Sequence, residues 1–284
     1  MPNELLRVVT TDALRRQISA WRSDGACIGL VPTMGNLHGG HFSLIDAARK
    51  RCDRVVATIF VNPTQFGPNE DFATYPRTLE DDATGLSAAG CDLLFAPPVS
   101  EIYPYGAGTS VRVHVPGVSE GLCGDVRPGH FEGVATVVCK LFNLVQPDLA
   151  FFGRKDFQQL RVIERMASDL RLPIAVIGVE TMREASGLAM SSRNQYLSDE
   201  ERERAAEIHH TLVAMRDAII QGRNLLAVET AAADRLVSHG FKVDYAAIRR
   251  ASDLAAPTDG QGDDLVALIA ARLGKARLID NILI

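Results

Sequence analysis

Two histidines three positions apart, His38 and His41, stand in the stretch Pro32-Thr33-Met34-Gly35-Asn36-Leu37-His38-Gly39-Gly40-His41. In the first turn of a helix such a pair lies on one face and can converge on a single anion. The helix N-terminus itself favours negative charge. Glycines on either side let backbone approach a ligand closely. The chemistry this pattern suggests is the handling of phosphate by imidazoles. Two other readings stay open at this level: a helix-capping or core pair, and a partial metal site. Against the metal, zinc pairs on a helix usually sit at i and i+4 with a nearby Glu.

Further clusters offer compatible donors. Gly153-Arg154-Lys155-Asp156 follows an apolar run and places a cation where a phosphate could sit, although Asp156 could equally cap a helix. Met190-Ser191-Ser192-Arg193-Asn194 concentrates two hydroxyls, a guanidinium and an amide, or is simply a turn. Asp81 and Asp82 complement a helix dipole or hold Mg²⁺, which takes few carboxylates beside waters and substrate phosphates. Gln65 can fix a small polar ligand. Phe131 and Val134 read as core, and His209-His210 as surface.

The elements that must position these residues follow from apolar periodicity. Ala26 to Val31 reads as a buried strand and Phe42 to Ala48 as a helix, so the histidine loop joins a strand end to a helix start. Arg54 to Val61 and Cys91 to Ala96 read as strands, with a capped helix starting at Thr78 between them. Thr109 to Val115 alternates like a strand. Phe131 to Val145 is helical, Leu149 to Phe152 a strand, Phe157 to Leu170 a helix and Ile174 to Val179 a strand. This alternation predicts a doubly wound parallel sheet, in which the ends of strands share one ligand-binding edge. Past Glu180 the texture changes. A capping box at Ser198 opens a long charged helix toward Gln221. A second helix near Leu226 to His239 precedes strand-like runs at Lys242 to Arg249, Leu265 to Ala270 and Ala276 to Ile284. The expected organisation is a larger α/β domain over 1–180 and a smaller α+β domain over 181–284, without repeats.

Composition bounds the function classes. The chain has 284 residues, 46% of them hydrophobic, and a formal net charge of −5 without a long basic run, which gives nucleic-acid binding no electrostatic support. The five cysteines are scattered, odd in number and free of Cys-x-x-Cys spacing, which argues for a reducing cytoplasm over a disulfide framework. No apolar stretch approaches the ~18 residues that span a bilayer, and the N-terminus carries no signal-peptide pattern.

Taken in order, the histidine stretch, Phe60-Val61-Asn62-Pro63-Thr64-Gln65-Phe66, Tyr75-Pro76-Arg77, Phe151 to Asp156 with Gln158-Gln159, and Met190 to Asn194 resemble the signature of the pantothenate synthetase family. The matches span roughly residues 30 to 197. The histidine pair alone resembles only the wider nucleotidyltransferase superfamily, shared with class I aminoacyl-tRNA synthetases. The resemblance implies a Rossmann-like sheet and a cytoplasmic homodimer. The implied enzyme joins (R)-pantoate and β-alanine with ATP and Mg²⁺, forming pantothenate, AMP and pyrophosphate for coenzyme A supply. It assigns ATP contacts to Met34 to His41, Gly153 to Asp156 and Met190 to Arg193, with Pro32, Thr33 and Met182 adjoining, and catalytic contacts to His38, His41, Lys155, Ser191, Ser192 and Arg193. It assigns pantoate to Gln65 and Gln159, with Asn62, Tyr75, His130 and Phe131 nearby, and the metal to Asp81 and Asp82. Three positions depart from the family pattern. Arg154 stands where Glu or Gln is commoner, Met182 where Val is usual, and Gly85 where some relatives carry a polar residue near the metal. Rival readings are another nucleotidyltransferase, a zinc hydrolase, and a nucleotide-binding regulator without catalysis.

Overall fold

The computed structural model describes residues 4–67, 70, 72–258 and 264–284. The first half lays down β1 (Leu6–Val8), α1 (Thr11–Ser23), β2 (Ile28–Thr33), α2 (Gly39–Arg49), β3 (Arg54–Ile59), α3 (Leu79–Ala88) and β4 (Leu93–Phe95). Two single-turn helices, α4 (Val99–Ile102) and α5 (Cys123–Val126), lead to α6 (His130–Val145), β5 (Leu149–Gly153), α7 (Phe157–Asp169) and β6 (Ala175–Val179). The remainder forms α8 (Asp199–Ala205), α9 (Glu207–Ile220), α10 (Leu225–Ser238), β7 (Lys242–Arg250), β8 (Leu265–Leu273) and β9 (Ala276–Leu283).

The first six strands form one parallel sheet in the order β1-β4-β3-β2-β5-β6. Strands covered on both faces should be continuous apolar runs, and β2 and β3 are buried almost throughout. One face is sealed by Leu14 and Ile18 of α1 with the apolar sides of α6 and α7. The other is sealed by Leu44, Ile45 and Ala48 of α2 with Ala83 and Leu86 of α3. Helices on both faces make the sheet doubly wound. The last three strands form an antiparallel sheet, β7-β8-β9, backed by α9 and α10. A small apolar cluster of Phe157, Ala251, Leu254, Val266 and Leu268 joins this sheet to the start of α7.

Three local expectations are corrected. Residues 109–115 form no strand: the segment pairs with no strand among the described residues, and Val113 N donates instead to Thr136 Oγ1 (2.9 Å). The long charged helix is broken at Ala206 into α8 and α9. Thr78 precedes α3 without a side-chain capping bond, leaving Glu80, Asp81 and Asp82 to complement the helix start. The turn expected at Met190–Asn194 is present, with Ser191 capping a 3-10 turn over Ser192–Tyr196.

The strand order reverses between β2 and β5, the place where a parallel sheet opens a crevice. Pro32 widens it. Phe60 N donates to Thr33 O, so Thr33 faces β3 and the preceding residue faces β5. A proline there has no N–H for a ladder. Accordingly, β2 pairs with β5 only at Gly29 and Leu30.

Candidate active site

The loop after β2 is shaped by backbone and carboxylate contacts. Gly35 and Asn36 both have positive φ, 86° and 52°, and Asp82 accepts from Asn36 N (2.9 Å) and Leu37 N (2.7 Å). Both oxygens of Asp82 therefore secure the loop. Asp81 is exposed on α3 and does not line the cleft. At Gly85, a Cβ would fall 2.4 Å from Cζ of Phe42, so an aromatic ring fills the space where a metal-shell side chain would begin. Among the described residues no group of three His, Cys, Asp or Glu could hold a metal ion. Of the expected pair, Asp82 thus holds the loop backbone while Asp81 faces solvent.

The two histidines form a reciprocal cap on α2. His38 Nδ1 accepts from Gly40 N at 3.1 Å, and His41 Nδ1 accepts from His38 N at 3.3 Å. The capping reading of the pair is therefore correct, and it fixes the chemistry of the other ring nitrogen. A ring whose Nδ1 accepts must, when neutral, carry its proton on Nε2. Burial lowers His38 to about 4, helped by the charge of Lys155. Burial, His38 and Lys155 together lower His41 to about 3. Both rings are neutral Nε2–H donors at neutral pH. Gly40 is required by this arrangement, since a Cβ there would fall 2.9 Å from the His38 ring.

The second junction, a 3-10 turn over Arg154–Asp156, ends β5 and begins α7. Lys155 Nζ lies 3.4 Å from Asp156 Oδ2. Burial would raise the Asp156 carboxyl, but Lys155 and Arg193 outweigh it and hold it below the usual carboxylate range. Asp156 makes no capping bond to α7. Arg154 pairs with Glu180 beyond the end of β6. At the third junction Ser192 Oγ donates to Asn36 O (3.1 Å), which ties this turn to the first loop.

These junctions meet in one cleft. It is lined by Pro32, Thr33, Met34, His38, Gly40 and His41 from the first loop, and by Gly153, Lys155 and Asp156 from the second. Met182, Met190, Ser191, Ser192 and Arg193 line it from the third. Gln65, Tyr75 and Gln159 line its inner end, where Val134, Val137, Val138 and Leu141 of α6 form an apolar wall. Gln65 is held by Asn62 Nδ2 (3.1 Å) and donates to Met34 Sδ (2.8 Å). The Gln159 amide has no hydrogen-bond partner among the described residues. A Cβ at Gly39 would meet the sulfurs of Met190 and Met182 at 3.1 and 3.2 Å, which places both methionines over the start of α2.

Other residues singled out in the sequence stand back from this cleft. Gly35, Asn36 and Leu37 shape the loop from behind, and Arg154 turns to Glu180. Asn62 is buried and supports the Gln65 loop, donating to Gly133 O and accepting from Thr64 and Tyr103. His130 binds Gln65 O through Nδ1 (2.8 Å) and meets Arg127 through Nε2, facing a neighbouring cavity. Phe131 belongs to the main core. None of the three lines the expected pantoate end, because their polar atoms or faces are used in holding it. Sequence reasoning missed Glu180, the apolar wall of α6, and two residues of β9. Asn281 Nδ2 donates to Arg154 O (2.8 Å) and Lys155 O (2.9 Å), and Asp280 pairs with Arg183 at 2.5 and 3.0 Å. No motif marks the β9 pair. Its only signal is a polar Asp-Asn step inside a strand that is apolar but for Arg277 near its start.

The doubly wound sheet, with donors converging at its switch point, defines a nucleotide-binding α/β protein. Comparison with known proteins narrows the class. A profile described as pantoate-beta-alanine ligase matches residues 7–283. A pantothenate synthetase of Xanthomonas oryzae pv. oryzae is 57% identical over 270 residues, 95% of this chain and 96% of that one. Another, of Shewanella amazonensis, is 56% identical over 271 residues, with the same coverage. The crystal structure of pantothenate synthetase from Thermus thermophilus superposes with a TM-score of 0.91 at 46% identity, covering 98% of this chain and 99% of that one. A pantoate-beta-alanine ligase from Francisella tularensis, complexed with beta-gamma ATP and beta-alanine, gives 0.80 at 34% identity, covering 98% and 97%. The chain belongs to the pantoate–β-alanine ligase family.

Proposed function

We propose that this protein condenses (R)-pantoate with β-alanine at the expense of ATP, through a pantoyl-adenylate, releasing AMP and pyrophosphate. The observation that carries the reading is the convergence of His38, His41, Lys155 and the Ser191–Arg193 turn on one cleft with Gln65 and Gln159, in a member of this family. The carboxylate of pantoate attacks the α-phosphate in line, and the amine of β-alanine then attacks the acyl carbon and displaces AMP. The protein supplies no covalent nucleophile. It aligns two anions and stabilises charge on phosphate oxygens. Neutral Nε2–H donors of His38 and His41, with the ammonium of Lys155, suit the phosphates. The amides of Gln65 and Gln159 suit the hydroxyl and carboxylate oxygens of pantoate, and the apolar wall of α6 suits its two methyl groups. Exclusion of water protects the acyl-adenylate. Mg²⁺ enters this reading as part of the substrate MgATP, with Asp81 and Asp82 of α3 as the carboxylates near the first loop.

The same reading divides the chain into a nucleotide- and pantoate-binding unit over 1–180 and a smaller lid unit over 181–284. It also places the protein in the cytoplasm. The five unpaired cysteines support that placement; no helix among the described residues is long and apolar enough to cross a membrane. A homodimer is supported by residues 111–115, a segment without a strand partner among the described residues, in which Val111 is 82% exposed, with Tyr105 before it 90% exposed. Such an unpaired segment with alternating valines is suited to pairing with a second copy.

The decisive experiment follows AMP release with MgATP, pantoate and β-alanine, omitting each in turn. The expected result is AMP only with the full set, and ATP–pyrophosphate exchange with pantoate alone. AMP release that ignores pantoate, or that needs a nucleoside monophosphate instead, refutes the reading.

A further inference from the structure

We infer that Asn281, on the antiparallel sheet, is a positioning residue for Lys155 and sets the affinity and reactivity of the phosphate subsite. Its role as a tuner of catalysis rests on the function proposed above; its effect on nucleotide binding does not.

Within the turn that carries Lys155, the side-chain contact is the one between Lys155 and Asp156 (3.4 Å). Neither Gly153 before the 3-10 turn nor Asp156 before α7 makes a side-chain capping bond. The fixing contact comes from a residue 126 positions later. Asn281 is 7% exposed, and its single amide nitrogen donates to the carbonyls of both Arg154 and Lys155. Two hydrogens on one planar nitrogen match two successive carbonyls, and a primary amide is the uncharged side chain that offers them. The neighbouring residue completes the grip. Asp280, 4% exposed, accepts from Asn281 N (2.8 Å) and holds Arg183, whose guanidinium also donates to Gly187 O (3.1 Å). The Arg183–Ala189 bridge then leads directly into the Ser191–Arg193 turn. Adjacent residues of one strand thus hold both segments that bring cations and hydroxyls to the cleft.

Strand β9 does not need these side chains to stay in place, since its ladder with β8 runs from Leu273–Ala276 to Val266–Leu283. A buried amide costs desolvation unless its hydrogens are bonded, and here both are bonded to the lysine turn. An ammonium must sit within hydrogen-bond reach of its phosphate, and a shift of about 1 Å can cost ~10²-fold in rate. Loss of the amide frees the turn and with it the position of the Lys155 ammonium.

The test is a double-mutant cycle between Asn281→Ala and Lys155→Ala, read by calorimetric MgATP affinity and by pantoate-dependent ATP–pyrophosphate exchange. Asn281→Ala is expected to weaken MgATP at least fivefold and slow exchange ~10- to 100-fold, with the pantoate KM changed less than twofold. In the Lys155→Ala background the same substitution is expected to change MgATP affinity less than twofold. Asn281→Asp, similar in shape but unable to donate when ionised, is expected to behave like Asn281→Ala and serves where the alanine variant is poorly folded. Equal effects of Asn281→Ala with and without Lys155 overturn the inference. So does wild-type binding and exchange in both variants, and so does loss of the native circular-dichroism spectrum in both, which makes the residue purely structural. If the wild-type protein shows no pantoate-dependent exchange, the proposed reaction fails, and the MgATP cycle still decides the role of Asn281.

Discussion

At the scale of single residues, the reciprocal cap does two things at once. It closes the first turn of α2, and by occupying Nδ1 of both rings it leaves Nε2–H as the donor of each. Their low affinity for protons has a consequence for stability. His38, His41 and His130 are held at about 4, about 3 and about 4, in each case chiefly by burial, against about 6.5 in an unfolded chain. Between pH 4 and 6.5 the unfolded chain therefore binds more protons than the folded one, and stability rises with pH through that window and levels off above it. Each histidine adds at most about 1.4 kcal/mol per pH unit. Urea midpoints between pH 4.5 and 7.5 are expected to show this slope, and His41→Asn to remove close to one proton from it. An unchanged slope would mean that His41 titrates normally in the fold. For catalysis, Lys155→Ala is expected to slow adenylate formation ~10²–10³-fold, about 3–4 kcal/mol, without lowering Tm, as single-turnover quenching would measure. The types and spacing of His38, His41 and Lys155 were legible in the sequence because each follows an apolar strand. Their protonation was not, since desolvation depends on what the rest of the chain packs around them.

At the scale of elements, the pantoate end of the cleft depends on how closely α6 approaches the loop that carries Gln65. Gly133 permits that approach: a Cβ there would fall 2.4 Å from Thr64 O and 2.7 Å from Gln65 Cα. Backbone on the far side cannot yield as a flexible side chain would. Gly133→Ala is expected to cost about 1–3 kcal/mol, several degrees in Tm, and to raise the pantoate KM more than that of ATP. A variant with both Tm and pantoate KM at wild-type values would show that the helix can retreat freely. Elements whose period matched their environment were readable in advance, including the βα alternation and the start of α8. Two kinds were not. Val134 has core spacing and is buried, yet it also walls the cleft, because a helix face can do both where it reaches the crevice. Residues 109–115 alternate like a strand but find no strand partner among the described residues. Asn281 escaped notice because its hydrogen bonds span a distance that no local pattern encodes.

At the scale of the whole molecule, that unpaired segment bears on assembly. If a second copy supplies the missing edge, a charge on the exposed valine should prevent it. Val111→Lys is expected to convert a dimer into a monomer in sedimentation velocity while leaving the cleft intact. A wild-type protein that sediments as a monomer at micromolar concentration would remove the dimer from the functional reading. The parallel sheet and the first two junctions of its cleft are built from residues up to Val179, whereas the clamp on the lysine turn comes from β9. Time therefore enters the architecture. A ribosome adding about 5–20 residues per second delivers Asn281 roughly 6–25 s after Lys155, which lies 126 residues earlier. During that interval a nascent chain can complete its first core but lacks the bond that steadies its nucleotide subsite. Maturation of the active centre is thereby scheduled late in translation.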